Sequence, residues 1–200
     1  MMHDPIVETL SQVAAALEAN NIAAEVVPDG RAALARLREL VPLGSQVHWG
    51  KSKTMIDIGA EAEFNDPSRY DPLRPRYMAM DRRTQMDEIR RLISAPDHML
   101  GSVQAIVIDG TMVVVSNGGA QIGPYAAGAG SVILVIGSQK VVPDLDAAMR
   151  RVRDVVFPYE DRTLREQLGV GTAISKTLLI HREPRPGRMR VILVREPVGV

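Results

Sequence analysis

The sequence lacks cysteine and any long apolar run, and these two absences exclude several classes of protein. Without cysteine, the 200-residue chain can form no disulfide and can offer no thiolate to a substrate, to zinc or to an iron–sulfur cluster. No run of about 18 apolar residues is present, so no membrane span is expected, and the first ten residues lack the basic and apolar parts of a signal peptide. We therefore expect a cytoplasmic protein with no iron–sulfur cofactor of its own.

Charge and motif content exclude further classes. The 24 basic residues balance 24 acidic ones, so neither nucleic acid nor an anionic membrane is an expected partner. The four histidines (His3, His48, His98 and His181) are far apart and none pairs with another ligand type at helical spacing, which predicts no metal site. Neither a Gly-x-Ser-x-Gly elbow nor a Gly-x-Gly-x-x-Gly fingerprint occurs, which disfavours a serine hydrolase and a dinucleotide dehydrogenase.

The hydrophobic pattern alternates between helical and strand periods, which predicts an α/β protein with a single domain over residues 1–200. Asp4 and Asp29 stand where they would cap two amphipathic helices. Residues 104–108, 112–115 and 131–136 are β-branched runs typical of strands that are covered on both faces, and the Asp-Gly pair at 109–110 predicts a hairpin between the first two.

Three weaker predictions concern the middle of the chain. Residues 61–76 carry three prolines among charged residues, which predicts a long surface loop. Residues 77–80 follow as a short predicted strand. Thr84, with Asp87 three residues later, then predicts a capped helix start.

A strand at residues 46–49 turns directly through Gly50 into a predicted helix. The segment is not a nucleotide-binding P-loop, because Gly44 and Gly50 have five residues between them and the strand lies between the glycines. It predicts a simpler anion cradle made by Gly50, Lys51, Ser52 and Thr54 with the free amides of the helix start. An N-capped helix with solvated lysines explains the same residues equally well.

Two further groups of polar residues follow buried strands. Asn117, Gly118, Gly119 and Gln121 come after one strand, and Gln139 and Lys140 after the next. These strand ends are predicted to meet at one edge of the sheet, where α/β proteins bind ligands. A plain turn is the commoner use of such a glycine pair. No residue is assigned a catalytic role, and whether the protein is an enzyme stays open.

Taken together, several segments resemble the LUD domain family of lactate-utilisation proteins. They are residues 47–52 (VHWGKS) with Thr54, residues 58–59 (IG), 101–105 (GSVQA), 109–110 (DG), Gly128, 135–140 (VIGSQK), 150–153 (RRVR) and 196–199 (EPVG). The resemblance implies a three-layer α/β/α fold like that of the phosphosugar isomerase and CoA-transferase superfamily. It also implies a link to the oxidation of lactate to pyruvate and, by analogy of fold, a homodimer.

Two departures from the family pattern limit the inference. Residues 116–121 read Ser-Asn-Gly-Gly-Ala-Gln where many relatives have Asp-Gly-Thr-Gly-Asn-Arg, and residues 169–176 lack the cysteine cluster of those relatives. An iron–sulfur role could then come only through a partner. The first hypothesis is a binder of a small anionic metabolite, phosphorylated or carboxylated. The alternative is a non-catalytic subunit or regulator that docks on an oxidoreductase through residues 66–76.

Overall fold

A six-stranded parallel sheet forms the centre of the computed structural model, which describes residues 4–200; His3 lies outside them. The strands are β1 (Ala23–Val27), β2 (Gln46–Trp49), β3 (Asp71–Pro72), β4 (His98–Gly101), β7 (Ser131–Gly137) and β10 (Met189–Val194). Their order is β1-β10-β7-β4-β2-β3, with every neighbouring pair parallel. The carboxyl ends of all six strands therefore lie at one edge.

Helices cover both faces of this sheet. The α-helices of residues 4–200 are α1 (Pro5–Ala19), α2 (Gly30–Leu40), α3 (Lys53–Asp57), α4 (Ala60–Phe64), α5 (Leu73–Met78), α6 (Met86–Ser94), α7 (Leu145–Arg151) and α8 (Phe157–Leu168). Leu10, Val13 and Leu17 of α1 pack on one face, and α2 to α4 pack on the other. Asp4 caps α1 and Asp29 caps α2 through their side chains, as their positions predict. The three-layer α/β/α prediction is confirmed.

A second sheet of four strands packs beside α1. Its strands are β5 (Ala105–Val107), β6 (Met112–Ser116), β8 (Val141–Val142) and β9 (Lys176–Ile180), in the order β8-β5-β6-β9. The predicted hairpin joins β5 to β6, and Gly110 takes the positive φ of 87° that its turn requires. One face of this sheet shares the core of α1, and the other packs against α7. The sequence did not predict this separate sheet.

The prediction of a long surface loop at residues 61–76 is wrong. The segment contains most of α4, all of β3 and the start of α5, with Tyr70 and Leu73 buried. Its prolines fit regular structure, because Pro72 ends an edge strand and Pro75 lies in the first turn of a helix, where no backbone donor is lost. Arg74 lies over the ring of Trp49 with 4.6 Å to its centroid. The segment assigned to docking on an oxidoreductase, residues 66–76, therefore includes a strand and the start of a helix and is not one long loop.

Two neighbouring predictions are also wrong. Tyr77 lies in helix α5 and not in a strand, because its ring is buried on the helical face that also buries Leu73. Thr84 does not cap α6, which begins at Met86 after Gln85. Gln85 instead accepts a hydrogen bond from the Asp81 backbone, so a short turn at residues 81–85 replaces the capping box.

Candidate functional site

A cleft lies where the chain crosses twice between the two sheets. Residues 102–104 carry the chain from β4 into β5, and residues 138–140 carry it from β7 into β8. Both crossings start at the carboxyl edge of the central sheet, next to the turn that joins β2 to α3. The site therefore occupies the edge at which α/β proteins bind ligands.

The floor of the cleft is the side chain of Lys140, which is only 4% exposed. Its amine donates to Thr54 Oγ1 at 2.8 Å, to Ser102 Oγ at 2.9 Å and to the Val103 carbonyl at 3.1 Å. Among residues 4–200 it forms no ion pair with a carboxylate. Its three partners are all neutral. The protonated amine is therefore costly to bury, because no counter-charge offsets its loss of hydration.

The two hydroxyl groups are fixed by the backbone around them. Ser102 Oγ donates to the Val135 carbonyl at 2.6 Å, which orients its lone pairs toward the amine. Thr54 is 1% exposed, and its hydroxyl reaches Ser102 Oγ at 3.3 Å and the Val198 carbonyl at 3.4 Å. Thr54 has the looser contacts and can rotate its hydroxyl hydrogen.

Burial shifts the ionisation of two charged side chains at the cleft, Lys140 and Glu160. Burial, and after it the positive charge of Arg151, lower the pKa of Lys140 to about 7, although Asp57 and Glu160 act in the opposite direction. Burial raises the pKa of the Glu160 carboxyl, against the opposing charges of Lys51 and Lys140. An amine and a carboxyl with displaced pKa values in one cleft are a common mark of a functional site.

The cleft is small and continues into a second cavity. The space beside Lys140 has a volume of about 40 Å³, and the adjoining cavity one of about 140 Å³. Both are lined by Lys51, Gln104, Gln121, Val156 and Glu160. The first volume holds a few atoms and the two together a small metabolite.

Two π-helical segments carry residues into the cleft. Pro124–Gly128 brings Tyr125, whose hydroxyl donates to the Ser102 carbonyl at 3.3 Å, and Val152–Val156 brings Val156. π-helical turns are rare and are frequent at functional sites. Burial raises the pKa of the Tyr125 hydroxyl, so it stays protonated and remains a donor.

Gly101→Ala is expected to destabilise the protein by about 1–3 kcal/mol because the site is overpacked at this position. A Cβ on Gly101 would lie 1.8 Å from the Tyr125 hydroxyl oxygen. Chemical denaturation measures the loss. Tyr125→Phe in the same chain removes the clashing oxygen and should recover part of it; a double variant no more stable than Gly101→Ala contradicts the clash.

The structure brings together six of the ten residues predicted for the site: Gly50, Lys51, Ser52, Thr54, Gln121 and Lys140. Asn117 lines only the adjoining cavity, and Gly118 and Gly119 line neither. Gln139 lies in a separate groove beside α1, and its amide donates to the Val198 carbonyl at 2.9 Å. Successive residues of the turn at 138–140 thus face different cavities.

The cleft residues that were not predicted from the sequence include three polar side chains, those of Ser102, Gln104 and Glu160. Ser102 and Gln104 stand in the segment between two strands, where no catalytic motif marks them, and Gln104 also accepts from the Val115 backbone at 2.8 Å. Glu160 lies among charged residues in the first turn of α8, but its carboxyl is half-buried. One sequence signal for this part of the cleft was available: Ser102 directly follows a glycine, Gly101, at the end of a buried strand.

Within residues 4–200, no cluster of three or more His, Cys, Asp or Glu side chains is placed to hold a metal ion. The helices described there are also too short or too polar to cross a bilayer.

The fold defines an α/β protein with a small cleft at the carboxyl edge of its parallel sheet. The sequence model of the LUD domain matches residues 10–194, and the chain belongs to the LUD domain family. Family membership supports, in general terms, a role related to lactate utilisation. No curated protein matches the sequence.

A solved structure agrees with the fold. The chain is similar to the crystal structure of a DUF162 family protein from Deinococcus radiodurans, with a TM-score of 0.56 and 13% sequence identity. The match covers 96% of this chain and 100% of the other. At this identity the likeness concerns the fold alone.

Proposed function

We propose that this LUD-domain protein binds a small anionic metabolite, carboxylated or phosphorylated, in the cleft above Lys140. The observation that carries the proposal is a buried amine with three neutral hydrogen-bond partners and no carboxylate partner among residues 4–200. An anion in the adjoining space would supply the missing counter-charge. Lys51, at the wall of both cavities, adds a second positive charge.

Glu160 is the acidic side chain that lines the same space, and it opposes an anion only when ionised. Burial raises the pKa of its carboxyl, which lowers the cost of keeping it protonated when a ligand arrives. A protonated carboxyl also donates a hydrogen bond to a ligand oxygen. The family's general link to lactate makes lactate and pyruvate the first anions to test.

Calorimetric titration at pH 6 and at pH 8.5 tests the proposal with lactate, pyruvate, phosphate and a sugar phosphate. We expect at least one of them to saturate the protein. Phosphate and lactate, which carry no carbonyl group, should bind about tenfold or more tightly at pH 6 than at pH 8.5, because Lys140 is charged at pH 6. Lys140→Met should remove the binding, whereas Lys176→Met, which changes an exposed lysine, should not. No saturation by any anion, or unchanged affinity in Lys140→Met, would contradict the proposal.

A further inference from the structure

The placement of lysine in this chain is selective. The sequence contains 20 arginines and only four lysines, and three of those lysines, at positions 51, 53 and 140, line the cleft beside Ser102. Elsewhere the chain meets its need for positive charge almost entirely with arginine. A guanidinium stays protonated at all ordinary pH values, whereas an amine can lose its proton and act as a nucleophile. The cleft thus holds basic side chains that, unlike arginine, can lose a proton and react.

The partners of Lys140 suit its neutral form as well as its charged form. As an ammonium, the group donates three hydrogen bonds to Thr54, Ser102 and the Val103 carbonyl. As a neutral amine, it can keep two of these as donor and accept the third from Thr54, whose own acceptors are distant at 3.3 and 3.4 Å. A carboxylate partner would have held the proton on the nitrogen. Hydroxyl partners allow it to leave.

We propose that Lys140 forms an imine with a small 2-oxo acid or aldehyde acid bound in this cleft. The inference rests on the proposed function, since the anionic end of the ligand is what the site binds first. The amine sits at the floor of a space of about 40 Å³ that opens into one of about 140 Å³. If the carbonyl carbon of the ligand lies against the Lys140 amine, the carboxylate of the ligand extends toward Lys51, which lines both cavities.

The step balances without any other reactant. The lone pair of the Lys140 nitrogen adds to the carbonyl carbon, and the carbonyl oxygen takes a proton to give a carbinolamine. Loss of that oxygen as water leaves a carbon–nitrogen double bond, so one amine and one carbonyl give one imine and one water. Thr54 Oγ1, 2.8 Å from the nitrogen, is placed to pass the proton between them. No electron is gained or lost.

The ionisation of the amine agrees with this geometry. Burial, followed by the charge of Arg151, lowers the pKa of Lys140 to about 7, so a large fraction of the amine is neutral in ordinary buffers. An exposed lysine with an ordinary pKa is neutral to only about one part in a thousand under those conditions. Lys140 should therefore react well before a lysine of ordinary pKa.

Reductive trapping tests the imine in the full-length protein. The protein is incubated at pH 7.5 with glyoxylate or pyruvate and cyanoborohydride, and is then digested for mass spectrometry. We expect a single carboxymethyl or carboxyethyl group on Lys140, at least tenfold above the level on any other lysine. Lactate, which carries a hydroxyl in place of the carbonyl, should leave no group. Lys140→Arg keeps the positive charge and should lose the label, and Lys176→Arg should retain it.

The outcomes separate the two proposals. Calorimetric binding of pyruvate without any label on Lys140 overturns the imine and leaves the anion site standing. Label spread equally over the four lysines also overturns it. Label confined to Lys140 in a protein that binds no unreactive anion supports the imine and counts against the proposed function. Peptide mapping of the unaltered protein gives this answer even if Lys140→Arg fails to fold.

Discussion

Arg188→Met is expected to lower the free energy of unfolding by about 3–5 kcal/mol. Arg188 and Glu183 are each 4% exposed and form a buried ion pair, so removal of the arginine leaves a carboxylate in the interior without its partner. The guanidinium also donates to the backbone carbonyls of Pro124, Tyr125 and Ala129 at 2.7 to 3.0 Å. These contacts anchor the π-helical turn that carries Tyr125 into the cleft.

Urea or guanidinium denaturation measures this loss, and a surface pair supplies the control. Arg165 forms an ion pair with Asp161 at 2.7 Å, but its side chain is 64% exposed. Arg165→Met should therefore cost less than about 1 kcal/mol. Adding Glu183→Gln to Arg188→Met removes the stranded charge and should recover part of the loss. Equal small losses in the buried and the surface variants would show that the Arg188 pair does not stabilise the fold.

Lys140 is expected to make stability rise steeply with pH. Burial, and then the charge of Arg151, lower its pKa to about 7 in the folded protein, against 10.5 as the ordinary value of an unfolded lysine. Between these two values the unfolded chain holds a proton that the folded chain lacks, so the free energy of unfolding increases with pH across that window. If the whole difference is expressed, the increase reaches about 5 kcal/mol.

The comparison of the unaltered protein with Lys140→Met isolates this contribution from other titrating groups. Denaturation curves at pH 6, 7, 8, 9 and 10 should show the unaltered protein gaining stability relative to the variant above pH 7. Below pH 7 both folded and unfolded lysines are protonated, so the difference should become constant. Lys176→Met, at an exposed lysine, should follow the unaltered protein at every pH. A difference that does not change with pH would show that Lys140 titrates normally.

Strong local patterns predicted the larger elements of the fold. Asp4 and Asp29 cap helices because a short carboxylate satisfies free backbone donors whatever the tertiary context. The turn at Gly110 is equally local. The division of the strands into two sheets is not a local property, because β5 and β7 have similar β-branched sequences but pair with different partners. Pairing depends on long-range register, which no window of sequence contains.

The residues of the candidate site also divide into those that local sequence predicts and those that depend on tertiary packing. Gly50 and Lys140 were predicted because each follows a buried strand, and strand ends meet at one edge of a parallel sheet. Gln139 was predicted on the same ground, but consecutive residues of its tight turn point in different directions. Glu160 was missed because its burial depends on how α8 packs beside the cleft. The charged residues around it in the sequence do not reveal that packing.

Two of the crossings between the sheets make the proposed reactivity of Lys140 conditional on tertiary structure. Lys140 belongs to one crossing and two of its partners, Ser102 and Val103, belong to the other, so the hydrogen bonds of the amine join two separate passages of the chain. If the smaller sheet detached, water would reach the nitrogen and the amine would return to an ordinary, protonated lysine. The ionisation of one nitrogen atom therefore depends on contact between the two sheets, and we expect a partly opened chain to lose the proposed imine formation.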